Sequence, residues 1–291
     1  MSVTNRSMRL LRFAALLLLA WLGGCAAPNP NATDAIPEIR PGILAGYLAP
    51  EDRPDDVSLI PPPPAIGSAA LAMDEEVSRY TLGLQDTARW TLARQDAELM
   101  FPAAARTFAC ATGFTISAER TPALYRILRR TVADAGLASY PAKQAYQRPR
   151  PFLVNGKPIC TPDEAEHLRD SGAYPSGHAA IGWAWALILA ELVPDRGEAI
   201  LRRGRAFGLS RVVCNVHWSS DVMMGRVLGA AVVSRLHADP VFRADLESAR
   251  AEIAALRAAG PAAPDCRLEN EALAPPAGEA PWPFSEPVRG N

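Results

Sequence analysis

The sequence predicts an all-α fold, a helical bundle. Between about residue 65 and residue 258, apolar residues recur at steps of three and four, which is the pattern of amphipathic helices. Alternating runs of β-branched residues, which would predict strands, are missing from this region. The chain has 291 residues, of which 49% are hydrophobic, so it can bury a sizeable core in one or two domains.

Six segments carry the helical pattern. In order they read SAALAMDEEVSRYTLGL, TARWTLARQDAELM, TPALYRILRRTVADAG, SGHAAIGWAWALILAELV, the long run from RGEAIL to SRLHA, and PVFRADLESARAEIAALRAAG. The third segment has clear ends, because Thr121 precedes Pro122 at its first helical position and Gly136 closes it. The fourth is apolar nearly all round and therefore predicts an inner helix of the bundle.

The first 24 residues have the pattern of a signal peptide. Three arginines precede the apolar run FAALLLLAWL, which is too short to span a bilayer. The run ends in LGGC, which resembles the lipobox of bacterial lipoproteins and implies a lipid on Cys25; ordinary cleavage after Ala26 or Ala27 is the alternative. We therefore expect a periplasmic protein that is attached to a bacterial membrane only through its N-terminal lipid.

Composition divides the rest of the chain into three parts. Residues 25–64 are rich in proline, include the run PPPP and predict an extended tether. Residues 65–258 hold the helical segments and form the expected domain. Residues 259–291 are rich in proline, alanine and glutamate, and predict a tail that is loosely ordered unless Cys266 holds it in place.

Charge and cysteine content limit the partners. A net charge of −1 gives no electrostatic footprint for nucleic acid. Export permits disulfides, and the four cysteines besides the lipidation candidate fit two bridges, with all three connectivities open: Cys110, Cys160, Cys214 and Cys266. The cysteines and histidines do not have the spacing of a zinc site, and we expect no metal and no cofactor.

The stretch KQAYQRPRP is the first of three candidate motifs. Pro149 and Pro151 oppose continuation of a helix, so we expect Lys143 on a closing helical turn and Arg148 and Arg150 on the extended segment after it. Taken alone, the stretch also fits basic residues that bond the last carbonyls of a helix.

The second motif is PSGH at the start of the fourth helical segment. Ser176 is in the position of an N-cap, and the backbone N–H groups of the first turn form an anion site that Gly177 lets a ligand approach closely. His178 stands in the same turn. A plain serine cap with an exposed histidine is the alternative.

The third motif is SRVVCNVHWSSD. If this stretch is one helix, Ser210, Cys214, His217 and Asp221 share a face, because they are spaced by four, three and four residues. The carboxylate can then fix the tautomer that leaves one ring nitrogen of the histidine bare, and Arg211 adds a planar fork suited to two anion oxygens. The His–Asp pair alone also fits a structural hydrogen bond.

Together the three motifs suit a phosphate-like anion and predict a phosphoryl-transfer site. Their order and spacing, KX6RP, then PSGH, then SRX5HX3D, resemble the signature of the type 2 phosphatidic acid phosphatase and vanadium haloperoxidase superfamily. Within it, PPPPAIGS, YQRPRPF, SGAYPSGHAAIGWA and SRVVCNVHWSSDV resemble the bacterial class A non-specific acid phosphatases, from about residue 57 to about residue 250. The fold implied is the helical bundle of that superfamily.

The resemblance implies a metal-independent acid phosphatase that hydrolyses many water-soluble phosphate monoesters and is inhibited by vanadate and inorganic phosphate. His217 would form a phosphohistidine, Asp221 would orient its ring, and His178 would be the general acid and base. The phosphate oxygens would be bound by the remaining motif residues: Lys143, Arg150, Ser176, Gly177 and Arg211. A protonated His178 beside a neutral His217 predicts best activity on the acid side of neutrality.

The resemblance extends to the cysteines but not to the two ends of the chain. Cys160 and Cys214 stand where members of this family also tend to have cysteines, so the resemblance implies the pairs Cys160–Cys214 and Cys110–Cys266. The lipobox and the tail beyond about residue 259 are not part of the family pattern.

Several related activities stay open. A phosphotransferase, a lipid phosphatase and a vanadate-dependent haloperoxidase share the signature, but lipid phosphatases usually embed it among several membrane-spanning helices. A binding lipoprotein that captures phosphate would not need two histidines beside the anion. Nothing in the sequence decides between a monomer and a homo-oligomer.

Overall fold

The structure is a computed structural model that describes residues 36–274. The expected signal peptide, the lipidation candidate Cys25 and residues 275–291 lie outside the described residues. Almost all regular structure within the described range is helical, which confirms the predicted all-α fold. No helix in this range is both long enough and apolar enough to cross a bilayer.

The described chain begins with two short strands and continues as helices. The strands, β1 (Glu38–Arg40) and β2 (Ile43–Leu44), pair antiparallel. The helices that follow are α1 (Asp56–Leu59), α2 (Ala69–Leu82), α3 (Ala88–Gln95), α4 (Ala109–Thr112), α5 (Pro122–Leu137), α6 (Tyr140–Tyr146), α7 (Pro151–Asn155), α8 (Ala165–Arg169), α9 (Gly177–Leu192), α10 (Gly197–Val213), α11 (Ser219–Leu236), α12 (Pro240–Ala258) and α13 (Arg267–Leu273).

Helix α9 is the centre of the bundle and packs against α5, α10, α11 and α12. Its side chains are apolar and buried on most faces, as the sequence predicts; Trp185 is fully buried, and its indole N–H donates to the carbonyl of Leu128 at 3.0 Å. Helix α11 approaches α9 closely at Gly225, where an added Cβ would lie 2.9 Å from that of Ala179. This close packing brings the N-terminal ends of α9 and α11 together.

The prediction of an extended tether over residues 25–64 is wrong for its second half, which packs onto the helical domain. Tyr47 and Leu48 are buried in the main core, and Ile60 is buried beside α6. The carboxylate of Asp134 on α5 accepts from the backbone N–H groups of Tyr47 and Leu48, both at 2.9 Å. Isolated apolar residues in a proline-rich segment have no periodicity, so no local pattern indicates that the domain begins near residue 38 rather than residue 65.

The expected tail over residues 259–291 is ordered next to Cys266, the residue that was expected to hold it in place. Residues 267–273 form α13, which packs against α3. Two disulfides are present within the described range, Cys110–Cys266 and Cys160–Cys214, with Cα–Cα distances of 5.7 and 4.8 Å. These are the two pairs that the resemblance implies, and the first of them holds the start of α13 against α4.

Candidate active site

The first motif lies where one helix ends and the next begins. Lys143 is in the last turn of α6, which is closed by Gln147 in the left-handed conformation, φ 43°. Arg150 follows in extended backbone, φ −76° and ψ 152°, and is the N-cap of α7. The side chains of Lys143, Arg148 and Arg150 are all buried, and Nε of Arg150 donates to the Leu168 carbonyl in the last turn of α8 at 3.0 Å. The placement of the three basic residues around the prolines confirms the predicted local structure.

The second motif opens α9 as predicted. Ser176 is the N-cap, and its Oγ accepts from the N–H of Ala179 at 3.2 Å. Gly177 and His178 are the first two residues of the helix. A ring nitrogen of His178, Nε2, lies 3.0 Å from the carbonyl oxygen of Ala97. Because a carbonyl can only accept, Nε2 carries the proton and the neutral ring has its bare nitrogen at Nδ1.

The third motif is not one helix, and this expectation is wrong. Helix α10 ends at Val213, Asn215 is left-handed with φ 61°, and α11 begins only at Ser219. The amide of Asn215 is held by Asn155 on α7 at 2.8 and 3.1 Å, which fixes the break. His217 therefore lies in the connection between two helices, and it does not share a helical face with Ser210 or Cys214.

Asp221 reaches His217 from the first turn of α11. Its Oδ2 accepts from the N–H of Trp218 at 2.8 Å, as a carboxylate does near a helix N-terminus, and lies 3.3 Å from His217 Nδ1. The backbone carbonyl of Asp221 also accepts from the N–H of Ser176 at 2.9 Å. The second and third motifs are thus joined directly.

The hydrogen bonds of His217 define its tautomer. Nε2 lies 3.1 Å from Nη1 of Arg150, and a guanidinium can only donate. Nε2 is therefore an acceptor without a proton, and Nδ1 carries the proton that it shares with Asp221. A neutral imidazole with a lone pair on Nε2 is the form that can act as a nucleophile.

Two residues outside the predicted set support Asp221, Arg148 by direct contact and Asp74 through Arg148. Arg148 donates from Nη1 to Asp221 Oδ1 at 2.5 Å and from Nη2 to Asp74 Oδ2 at 2.8 Å. Asp74, on α2, also accepts from the hydroxyl of Ser219 at 2.6 Å and from the backbone N–H of Ser220 at 2.8 Å. Arg148 lies within the first motif, but Asp74 has no sequence signal, because it is one of several acidic residues on a helix.

The charged groups of all three motifs act on one another. Burial lowers the pKa of His178 well below its usual value, and the positive charges of Arg211, Arg150 and Lys143 lower it further. The pKa of His217 is lowered in the same way by burial, then by Arg150, Lys143 and Arg211, and also by His178. Burial and the same three cations, Lys143, Arg150 and Arg211, therefore lower the pKa values of both histidines.

Two further groups of this region have displaced pKa values. Burial, followed by the charge of Arg150, lowers the pKa of Lys143 to about 7. Burial raises the pKa of Asp221, although Arg148 opposes this. The site therefore contains more positive charge than its own carboxylate balances, which favours an anionic ligand.

Arg211 has two buried N–H donor groups that form no hydrogen bond within the described residues. Its side chain is fully buried, and Nη2 lies 3.7 Å from a carboxylate oxygen of Glu164. Its Nε and Nη1 have no hydrogen-bond partner among residues 36–274. A buried donor without a partner costs about 1–3 kcal/mol, so two on one guanidinium suit a ligand that supplies oxygen atoms. Within the same residues, no group of three or more His, Cys, Asp or Glu side chains is placed to hold a metal ion.

The chain is similar in sequence to known proteins. Residues 125–243 match the PAP2 superfamily. An acid phosphatase of Zymomonas mobilis is 39% identical over 75% of this chain and 83% of its own length. Non-specific acid phosphatases of Providencia stuartii and Salmonella typhimurium are 38% and 36% identical, over 72% and 71% of this chain and 86% and 83% of their own lengths.

The chain belongs to the PAP2 superfamily. Within that superfamily it is one of the bacterial acid phosphatases, the group to which its curated relatives belong.

Proposed function

We propose that this protein hydrolyses a broad range of water-soluble phosphate monoesters, without a metal ion, through a phosphohistidine on His217. The observation that carries the proposal is the state of His217 Nε2, which accepts a hydrogen bond from Arg150 at 3.1 Å and so has a lone pair within a cationic, buried site. Cationic side chains alone would be enough to bind phosphate. Transfer of the phosphoryl group also needs a nucleophile, and an unprotonated, oriented imidazole among the cations can be that nucleophile.

The phosphate oxygens have donors from all three motifs. The unpaired Nε and Nη1 of Arg211 can bind two of them as a fork. The oxygen of Ser176 already accepts from Ala179, so its own hydroxyl proton is available for a phosphate oxygen, as is the N–H of Gly177 in the first turn. Lys143 and Arg150 supply further positive charge, and such fixed charge provides most of the acceleration in phosphoryl transfer.

The reaction has two steps. In the first, His217 Nε2 forms a bond to phosphorus while the bond from phosphorus to the ester oxygen breaks, and Asp221 balances the charge on the imidazolium. His178 donates a proton from Nδ1 to the departing oxygen, while its Nε2–H remains bonded to Ala97. In the second, His178 takes a proton from water, whose oxygen attacks phosphorus and breaks the phosphorus–nitrogen bond.

The proton balance favours acid conditions. The pKa of free His178 is well below its usual value because of burial and three neighbouring cations. A bound phosphate dianion offsets those cations and raises the pKa, so the protonated acid forms most readily when the substrate is bound and the solution is mildly acidic.

Release of p-nitrophenol from its phosphate ester in EDTA tests this function. We expect full activity in the chelator, inhibition by vanadate and inorganic phosphate, and, after rapid quenching, a phosphoprotein that is stable to base and labile to acid. Activity that disappears in EDTA and returns with a divalent ion would contradict metal independence. A trapped phosphoserine, or vanadate-dependent bromination without phosphate release, would contradict the chemistry.

The pH dependence tests the role of Lys143. Its charge is present below a pKa of about 7 and is lost as the pH rises through that value, so kcat/KM is expected to fall above neutrality. Arginine keeps its charge at these pH values, so Lys143→Arg should move the alkaline limb of kcat/KM upward even where the rate itself is reduced. An alkaline limb at the same pH in both proteins would exclude Lys143 as its origin.

The cellular location is part of the proposal. The two disulfides fit an oxidising compartment, and with the predicted signal peptide they support export to the periplasm. Lipid attachment at Cys25 is proposed from the LGGC sequence.

A further inference from the structure

Helix α13 is fixed against the rest of the domain at its start. Cys266, its N-cap, is bonded to Cys110 on α4, and the helix packs along α3. It also brings one carboxylate, that of Glu269, into contact with a buried group of the bundle. The reaction proposed above does not require any of these features.

The buried group is Arg203 on α10, whose side chain is 3% exposed. Its Nε donates to Glu269 Oε2 at 2.8 Å, while Nη2 and Nη1 donate to the two carboxylate oxygens of Asp96 at 2.5 and 3.1 Å. Asp96 Oδ2 also accepts from the hydroxyl of Ser210 at 2.6 Å. Asp96 is thus held from two sides, and its arginine is held in turn by α13.

Asp96 is the C-cap of α3, and the next residue is Ala97. The carbonyl oxygen of Ala97 is the group that accepts from His178 Nε2 at 3.0 Å. The position of this carbonyl decides which nitrogen of His178 carries the proton and how the ring is oriented. Ser210 precedes Arg211, so the same carboxylate contacts the residue next to an expected phosphate ligand.

We propose that Glu269, held in place by the Cys110–Cys266 disulfide, is a positioning residue for His178 and acts through Arg203, Asp96 and the Ala97 carbonyl. This inference rests on the proposed role of His178 as general acid. Loss of Glu269 would loosen Arg203 and Asp96 and so disorder the His178 ring. The step that becomes slower is protonation of the leaving oxygen. Attack by His217 is affected less, because Arg150 and Asp221 hold the His217 ring independently.

The test compares Glu269→Gln with Glu271→Gln, a matched change at an exposed position of the same helix. Both are assayed on phosphate monoesters whose leaving groups range from dinitrophenol to simple alcohols. For Glu269→Gln we expect about tenfold loss of kcat/KM on alkyl esters and little change on the dinitrophenyl ester. This loss is smaller than the ~10²–10⁴-fold that general acid catalysis supplies, because His178 is displaced rather than removed. Glu271→Gln should match the unmodified protein throughout.

A second variant guards against misfolding. Replacing both Cys110 and Cys266 by serine leaves Glu269 in the sequence but removes the disulfide that holds α13. This variant should show a steeper dependence of kcat/KM on the leaving group. Thermal melting and circular dichroism check that it is folded. An unchanged dependence in both variants, or a loss that is equal for all leaving groups, would overturn the inference. The proposed function fails separately, if His178→Ala in the otherwise unmodified protein leaves this dependence unchanged.

Discussion

Replacement of His217 by alanine is expected to abolish turnover and the phosphoprotein together. In the proposed mechanism the imidazole supplies the atom that bonds to phosphorus, and water would not replace it in a site where Arg150 and the other cationic groups lie near Nε2. Removal of a nucleophile from other covalent hydrolases costs on the order of 10⁴- to 10⁶-fold in kcat, and we expect a loss of that size. Steady-state release of p-nitrophenol and acid–base stability of the quenched protein measure the two effects.

His167 provides the matched control for this change. It is a histidine on the exposed side of α8, and His167→Ala should keep both the rate and the phosphoprotein. His178→Ala gives the intermediate case, since it should still phosphorylate itself on an ester with a good leaving group. A phosphoprotein that persists in His217→Ala would move the nucleophile to another residue.

The local structure of the first two motifs could be predicted from the sequence because each of them has its own local signal. Proline after Lys143 and around Arg150 ends one helix and starts another, and Ser176 before Gly177 is the pattern of an N-cap. These signals depend on backbone conformation within a few residues. The fold class and both termini of α9 are consequently close to the prediction.

Other parts depend on contacts that no local pattern encodes. The break of the third motif is fixed by Asn215 meeting Asn155, 60 positions earlier in the sequence, and the ion pairs of Arg148 join residues 74 and 73 positions away. Tyr47 is buried because Asp134 satisfies its N–H. A carboxylate on a helix has the same sequence pattern whether it is solvated or buried, so only tertiary packing distinguishes Asp74 from its exposed neighbours.

The buried pairs of Arg148 predict the largest effect on stability. Its side chain is 7% exposed, and its guanidinium contacts two carboxylates that are almost completely buried, those of Asp74 and Asp221. Arg148→Gln would leave both carboxylates without a cation in direct contact. Breaking such a buried pair by removing one partner typically costs about 3–5 kcal/mol, so we expect the free energy of unfolding at neutral pH to fall by that amount.

The loss of stability should depend on pH in a defined direction. Burial already raises the pKa of Asp221, and Arg148 is the main opposing cause, so the variant raises that pKa further. The folded variant then holds a proton that its unfolded chain has released, and its stability falls as the pH rises between the unfolded and folded pKa values. The difference from the unmodified protein should therefore be greatest at neutral pH and smaller in acid.

Activity should follow the same ionisation. Asp221 must be ionised to keep the proton of His217 on Nδ1, so the acid limb of kcat is expected to move to higher pH in Arg148→Gln. Arg148→Lys restores a positive charge but cannot reach both carboxylates with a fork, so it should recover part of the stability and part of the shift. Urea unfolding at two pH values and a pH–rate profile measure these outcomes.

An exposed ion pair supplies the comparison for the buried one. Arg202 and Glu198 lie one turn apart on α10 at 3.5 Å, with side chains that are 72% and 93% exposed. Arg202→Gln should leave stability and the pH–rate profile nearly unchanged, because water solvates both charges when the pair is lost. Arg148→Gln could instead lose as little stability as Arg202→Gln, or keep the acid limb of its kcat profile at the same pH. Either result would show that the Arg148 guanidinium does not keep Asp221 ionised. The tautomer of His217 would then depend on Arg150 alone.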